Sequence, residues 1–188
     1  MFAHNRWVSQ QPQPFSIRPV EAEMATRIMQ GGHRVGTSKD EIVLFSRYSC
    51  PFCVAIWPQL DSLLKEPHPK FSVKVRHLVR PGDSPSFLAA VATECAAEQE
   101  KFREFHSQVL RSWGPLMERD LIDVARETGV GDLDQFKVCM ASENAKDRVR
   151  ADYDLGMEAQ ITGVPTLLIG DKLVTGSPSP RQIEKMLR

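Results

Sequence analysis

Ile42-Val43-Leu44-Phe45-Ser46-Arg47-Tyr48-Ser49-Cys50-Pro51-Phe52-Cys53 is the stretch whose reading decides the fold. Its first four residues are apolar, two of them β-branched and one aromatic, between polar neighbours, as in a buried strand. Ser49 is a candidate N-cap, and Pro51 falls in a first helical turn, where its missing N–H removes no intrahelical bond. Ile56, Leu60, Leu63 and Leu64 then recur at helical spacing, and Pro58 inside that pattern should kink the helix. The two cysteines therefore sit at a strand-to-helix junction. Cys50 is at the helix N-terminus, where unpaired N–H groups and the macrodipole favour negative charge. A thiolate, not a thiol, attacks disulfides, so this placement predicts a Cys50 pKa below the unperturbed value of roughly 8.5. It also makes Cys50 a good leaving group and the disulfide more oxidising. Cys53, in the same first turn, is near enough to close a disulfide and is expected to be the more buried of the two.

Working outward, Phe71-Ser72-Val73-Lys74-Val75 alternates apolar and polar and reads as a second strand running on towards Val79, ended by Pro81-Gly82-Asp83. From Ser84 to about Gln160 the pattern is helical. Ser84-Pro85 reads as an N-cap with an N1 proline, and Asp132 with Gln135 resembles a capping box. Val164-Pro165-Thr166-Leu167-Leu168-Ile169, Gly170-Asp171 and Leu173-Val174 form a hairpin candidate. Ser179-Pro180 opens a last helix. Residues 1–32 read as an N-terminal arm or tether, with the proline- and glutamine-containing stretch Ser9–Pro14 and a short helix over Glu21–Gln30 that stops at Gly31-Gly32. The order is strand, helix, strand, helical block, hairpin, helix. That is an α/β class with a small mixed sheet flanked by helices and a helical insertion over about 84–160 of a domain spanning 33–188.

Composition narrows the function. The 188 residues carry 24 basic and 24 acidic side chains. This balance offers no field for nucleic acid. No apolar stretch is long enough to span a bilayer. The first residues lack the apolar core of a signal peptide, so the chain is either cytoplasmic or begins after a removed signal or anchor. A lone Cys-x-x-Cys is also half a zinc site, but zinc would want a second such pair or paired histidines. Cys95 and Cys139 stand apart with no close His pair, so no metal and no cofactor are expected.

Cys50-Pro51-Phe52-Cys53 after a strand, with Gly163-Val164-Pro165-Thr166 before a later one, resembles the thioredoxin superfamily. Pro58, eight residues after Cys50, matches the helix-kinking proline of that group. The helical block and the run Glu94-Cys95-Ala96-Ala97-Glu98-Gln99-Glu100-Lys101-Phe102-Arg103-Glu104-Phe105-His106 are similar to the DsbA-like family of bacteria, in the branch with a second cysteine pair. The resemblance covers about residues 33–188 and implies a thioredoxin fold with an α-helical insertion domain. It implies that Pro165 is cis and lies beside the reactive cysteines, with Pro51, Phe52, Val164, Pro165 and Thr166 forming the substrate-docking surface. It implies catalysis by Cys50 and Cys53, acting as an oxidase on reduced or unfolded proteins and reoxidised by a quinone-linked membrane partner. It also implies an extracytoplasmic location, in the periplasm or on the outer face of the cell membrane. A reductase or isomerase of the same fold, and a non-catalytic peptide-binding or chaperone module, remain alternatives.

Two departures stand out. The strand before the motif has Leu44 where an acid is common, and Arg47 lies where other members have an aspartate. Losing the buried acid sets this chain apart from the proton route to Cys53 that the resemblance would imply. Cys95 and Cys139 lie on apolar helix faces and read either as two buried thiols acting as small hydrophobes or, as the resemblance implies, as a structural disulfide. Such a disulfide would add on the order of 3–4 kcal/mol in the chain-entropy model. His77 in the second strand and His106 on a charged helix read as structural or solvated, His33 carries no pattern, and Trp57 reads as core or as apolar surface for the cysteine pair.

Overall fold

Four consecutive apolar residues cannot alternate between core and solvent, so a strand made of Ile42–Phe45 needs cover on both faces. The computed structural model describes residues 15–112, 114 and 116–187; it places these four, all fully buried, in β3 (Glu41–Ser46). Before it come β1 (Phe15–Pro19), α1 (Ala22–Met29) and β2 (His33–Val35). After it come α2 (Pro51–Leu64) and β4 (Ser72–His77). Next are α3 (Ser84–Ala97), α4 (Phe102–Ser112), α5 (Glu118–Glu127), α6 (Leu133–Ala141) and α7 (Glu143–Glu158). The described chain closes with β5 (Thr166–Ile169), β6 (Lys172–Gly176) and α8 (Pro180–Met186).

The six strands form one mixed sheet in the order β1-β6-β5-β3-β4-β2. β3 and β5 pair antiparallel with Phe45 opposite Thr166, and β5 and β6 form the expected hairpin across Gly170-Asp171. The chain divides into two compact units. The first takes the described residues up to Ser46, then Cys50–Arg76, then those from Leu155 onward, and carries the sheet with α1, α2 and α8. The second takes Arg47–Ser49 and His77–Asp154 and is helical.

Two strands were not legible in the sequence. Phe15–Pro19, read as part of an extended arm, is β1 and pairs antiparallel with β6. It lies at the sheet edge, where a terminal proline without an N–H is tolerated. The stretch Ser9–Pro14 lies outside the described residues. β2 is too short to show a period, and it follows Gly31 and Gly32, both in the left-handed region. A Cβ on Gly32 would meet the carbonyl oxygen of Val75 at 3.0 Å, so glycine is what lets the chain turn there onto β4. Two caps also move by one residue. Asp83, not Ser84, caps α3, and Cys50, not Ser49, caps α2. Pro51 accounts for the second shift, because proline prefers N1 and so makes its predecessor the cap.

In the helical unit the Asp132 carboxylate accepts from the backbone N–H groups of Asp134 and Gln135, which starts α6. Phe105 and Phe136 pack with ring centroids 5.7 Å apart and are fully buried with Leu121 and Ala125. Cys95 of α3 and Cys139 of α6 are joined by a disulfide across 44 positions of sequence. Replacing both with alanine should lower unfolding free energy by roughly 3–4 kcal/mol, the loop-closure entropy returned to the unfolded chain. Urea denaturation of the parent and the double variant measures the difference.

Candidate active site

Antiparallel pairing of β3 with β5 brings the end of one strand beside the start of the other. The residues that follow β3 and those that precede β5 therefore emerge at the same edge of the sheet unit. From the first come Cys50 and α2; from the second come Gly163, Val164 and Pro165.

Cys50 has an extended backbone, φ −100° and ψ 117°, and its carbonyl accepts the first helical bond from Val54 N–H at 3.1 Å. Pro51 supplies the first helical residue. Cys53 is fully buried and Cys50 is 4% exposed, so Cys50 alone of the two retains access to solvent. The Cys50 thiol donates to the carbonyl of Val164 at 3.4 Å. The Val164–Pro165 peptide is cis. The loop is held by its own bonds: Gly176 N–H donates to the Pro165 carbonyl at 2.9 Å, and Thr166 Oγ1 donates to the Gly163 carbonyl at 2.7 Å. Because that donation uses the only hydroxyl proton of Thr166, Thr175 is the donor in the 2.9 Å contact between the two threonines.

The structure thus brings Cys50, Cys53, Val164 and Pro165 together, with Pro51 partly exposed and Phe52 exposed beside them. Pro165 and Thr166 are buried, so Phe52, Pro51 and Val164 present the accessible surface of the set. Trp57 is buried one turn after Cys53.

Leu44 is fully buried where the resemblance places an acid. A buried carboxylate does lie on the same face of α2: Asp61, eight residues after Cys53, paired with Lys65 at 2.6 Å. Eight residues of helix rise about 12 Å, which sets Asp61 about two turns along α2 from Cys53. Arg47 belongs to the helical unit and buries its Nε without a hydrogen-bond partner. Among the described residues no group of three His, Cys, Asp or Glu side chains is placed to hold a metal ion.

Sequence reasoning missed a polar cluster inside the helical unit. His77 and His106 are both buried. His77 Nε2 lies 3.1 Å from Glu94 Oε1, and its backbone N–H donates to Asp152 at 2.9 Å. Glu94 is also bonded by Arg148 Nε at 2.9 Å, while the same guanidinium reaches Glu98 at 2.7 Å. His106 and Thr93 meet the hydroxyl of Tyr48. The signal in the sequence was Thr93-Glu94 directly before Cys95, polar residues within an otherwise apolar helix. Tyr48 and Ser49 also form part of the wall of a cavity of about 320 Å³, with Asp83, Ser86, Ala89 and Val109. Glu94→Ala should lower stability by roughly 2–4 kcal/mol, less than for a fully buried pair because Arg148 is one-third exposed. Chemical denaturation reads this directly, and an unchanged midpoint would remove the ion pair from the account.

Residues 29–188 match the thioredoxin family model. No curated protein matches the sequence. Among solved structures, the chain is similar to the thiol-disulfide exchange protein alpha-DsbA2 of Wolbachia pipientis, with a TM-score of 0.77 at 20% identity over 98% of this chain and 96% of that one. It is similar to a thioredoxin-like oxidoreductase of Silicibacter pomeroyi, with a TM-score of 0.76 at 22% identity over 89% and 96%. The catalytic domain of Proteus mirabilis ScsC gives a TM-score of 0.74 at 22% identity over 88% and 93%. At these identities the likeness concerns the fold.

Proposed function

The chain belongs to the thioredoxin family, and we propose that within it the protein is a thiol–disulfide oxidoreductase of protein substrates, working as an oxidase. The observation that carries this reading is the position of Cys50: at the N-terminus of α2, in contact with the Val164 carbonyl, and the more accessible of the two cysteines. Unpaired N–H groups at that end stabilise a thiolate.

In the oxidising direction a client thiolate attacks the Cys50 sulfur of a Cys50–Cys53 disulfide. The S–S bond breaks, Cys53 leaves with the electron pair and takes a proton, and a mixed disulfide joins client to Cys50. A second client thiolate attacks the client sulfur of that bond and releases Cys50 as a thiolate. The client has lost two electrons and the Cys50–Cys53 pair has gained them. Phe52 and Val164 supply the apolar and backbone surface against which an extended client segment docks, by strand addition at Val164. Pro165 and Thr166 act from beneath, shaping the Val164 loop. Cys50 and Cys53 are the catalytic residues, and no cofactor takes part.

The clients are reduced or unfolded proteins, and a quinone-linked membrane protein takes the two electrons. The Cys95–Cys139 disulfide supports an oxidising, extracytoplasmic location. A similar fold belongs to a Salmonella enterica protein described as periplasmic.

Cys50→Ala should abolish dithiol oxidation of a model peptide, and full activity in that variant would end the proposal. Cys53→Ala, which cannot form the internal disulfide, should instead accumulate mixed disulfides when its Cys50 thiolate attacks a disulfide-bonded client, since the Cys53 thiol that would resolve them is gone. Non-reducing electrophoresis reads the trap, and an empty one argues against protein substrates.

A further inference from the structure

We propose that Thr175 is a positioning residue for client docking: through a relay of two hydroxyl groups it holds the turn at Gly163 and so sets the direction of the Val164 carbonyl, the group that meets the Cys50 thiol and that an extended client would pair with. The proposal rests on the exchange chemistry above and adds to it a residue that never touches the client.

Every group in the relay belongs to the sheet unit. The Val164 carbonyl accepts from the Cys50 thiol at 3.4 Å. The carbonyls on either side of it are tied down. That of Pro165 accepts from Gly176 N–H at 2.9 Å, and that of Gly163 accepts from Thr166 Oγ1 at 2.7 Å. Thr166 opens β5, and its partner across the β5–β6 pair is Thr175. Their hydroxyl oxygens lie 2.9 Å apart. β6 therefore holds both flanks of Val164, one through the Gly176 backbone and the other through the Thr175 side chain. With its two neighbours fixed, the Val164 carbonyl keeps one direction.

The relay needs the hydroxyl of Thr175, not only its bulk. Thr166 has one hydroxyl proton and two acceptors within reach, the Gly163 carbonyl and the Thr175 oxygen. Donation from Thr175 closes the second direction and leaves Gly163 as the acceptor. It also polarises the Thr166 hydroxyl, which strengthens the bond that hydroxyl gives. Thr166 is fully buried, so bulk water does not replace a lost donor. The Thr175 methyl has a separate role. A Cβ on Gly163 would lie 3.5 Å from Thr175 Cγ2, so this methyl borders the same turn. Valine at 175 would keep the methyl and the β-branched shape that a strand favours, and would remove only the donor.

The test is single-turnover oxidation of an extended peptide carrying two cysteines by the oxidised full-length chain, over a range of peptide concentrations. Thr175→Val should raise the half-saturating concentration roughly three- to tenfold, the effect of one misdirected backbone bond, and leave the limiting rate within about twofold. Thr175→Ser, which keeps the hydroxyl, should restore the parent value. Dithiothreitol, which has no backbone to pair, should show no such rise. Cross-strand threonines that only stabilise the sheet would lower the melting temperature of Thr175→Val and leave its half-saturation unchanged, and that result overturns the proposal. A Thr175→Ser variant as weak as Thr175→Val overturns it too. If Thr175→Val does not fold, Thr175→Ala is compared with Thr175→Ser, and equal half-saturation in the two overturns it equally. A parent chain that fails to oxidise the peptide would instead remove the exchange reading, and the role of Thr175 with it.

Discussion

The placement of one sulfur atom at the start of α2 is the constraint on which the rest depends. Two interactions there oppose each other. The N-terminal N–H groups favour the thiolate by about 1–2 kcal/mol in a partly buried setting. The bond from the Cys50 thiol to the Val164 carbonyl exists only when the sulfur is protonated, and so favours the thiol. A sulfur donor at that distance contributes about 0.5–1 kcal/mol, so in the proposed chemistry the helix end is the larger of the two. In the proposed exchange, losing the carbonyl bond on ionisation also frees the Val164 oxygen for an incoming client backbone.

The sheet is built to deliver this arrangement. β3 and β5 are buried along their central lengths and pair in one register, with Phe45 opposite Thr166 and Ile42 opposite Ile169, which holds the two strands rigidly together. That rigidity fixes Cys50 against Val164, two segments separated by more than a hundred residues. Within the helical unit, α3 gathers the polar and disulfide contacts. Thr93, Glu94 and Cys95 are consecutive there. They bind Tyr48, the His77 and Arg148 side chains, and Cys139 respectively.

Much of this was legible in the sequence because the signals were local. The unbroken apolar run of β3, the proline at the first position of α2, and the hairpin around Gly170-Asp171 each encode their structure within a few residues. The strands β1 and β2 were not legible. Their stability comes from partners distant in sequence, β6 and β4, and neither offers a periodic apolar face long enough to read. The buried histidines show the same limit. His106 lies in a helix rich in charge, and only the fold reveals that the Tyr48 hydroxyl meets it. Leu44 was the informative departure. It is fully buried in β3 where the resemblance had an acid.

Equilibration of the reduced and oxidised protein in glutathione buffers, with the bridged cysteines identified by mass spectrometry, tests the central claim most directly. The account predicts a two-electron transition confined to Cys50 and Cys53, at a potential less negative than the roughly −270 mV of thioredoxin, because the helix end stabilises the reduced thiolate. A potential at or below that value, or no bridge between these two cysteines at any poise, would contradict it.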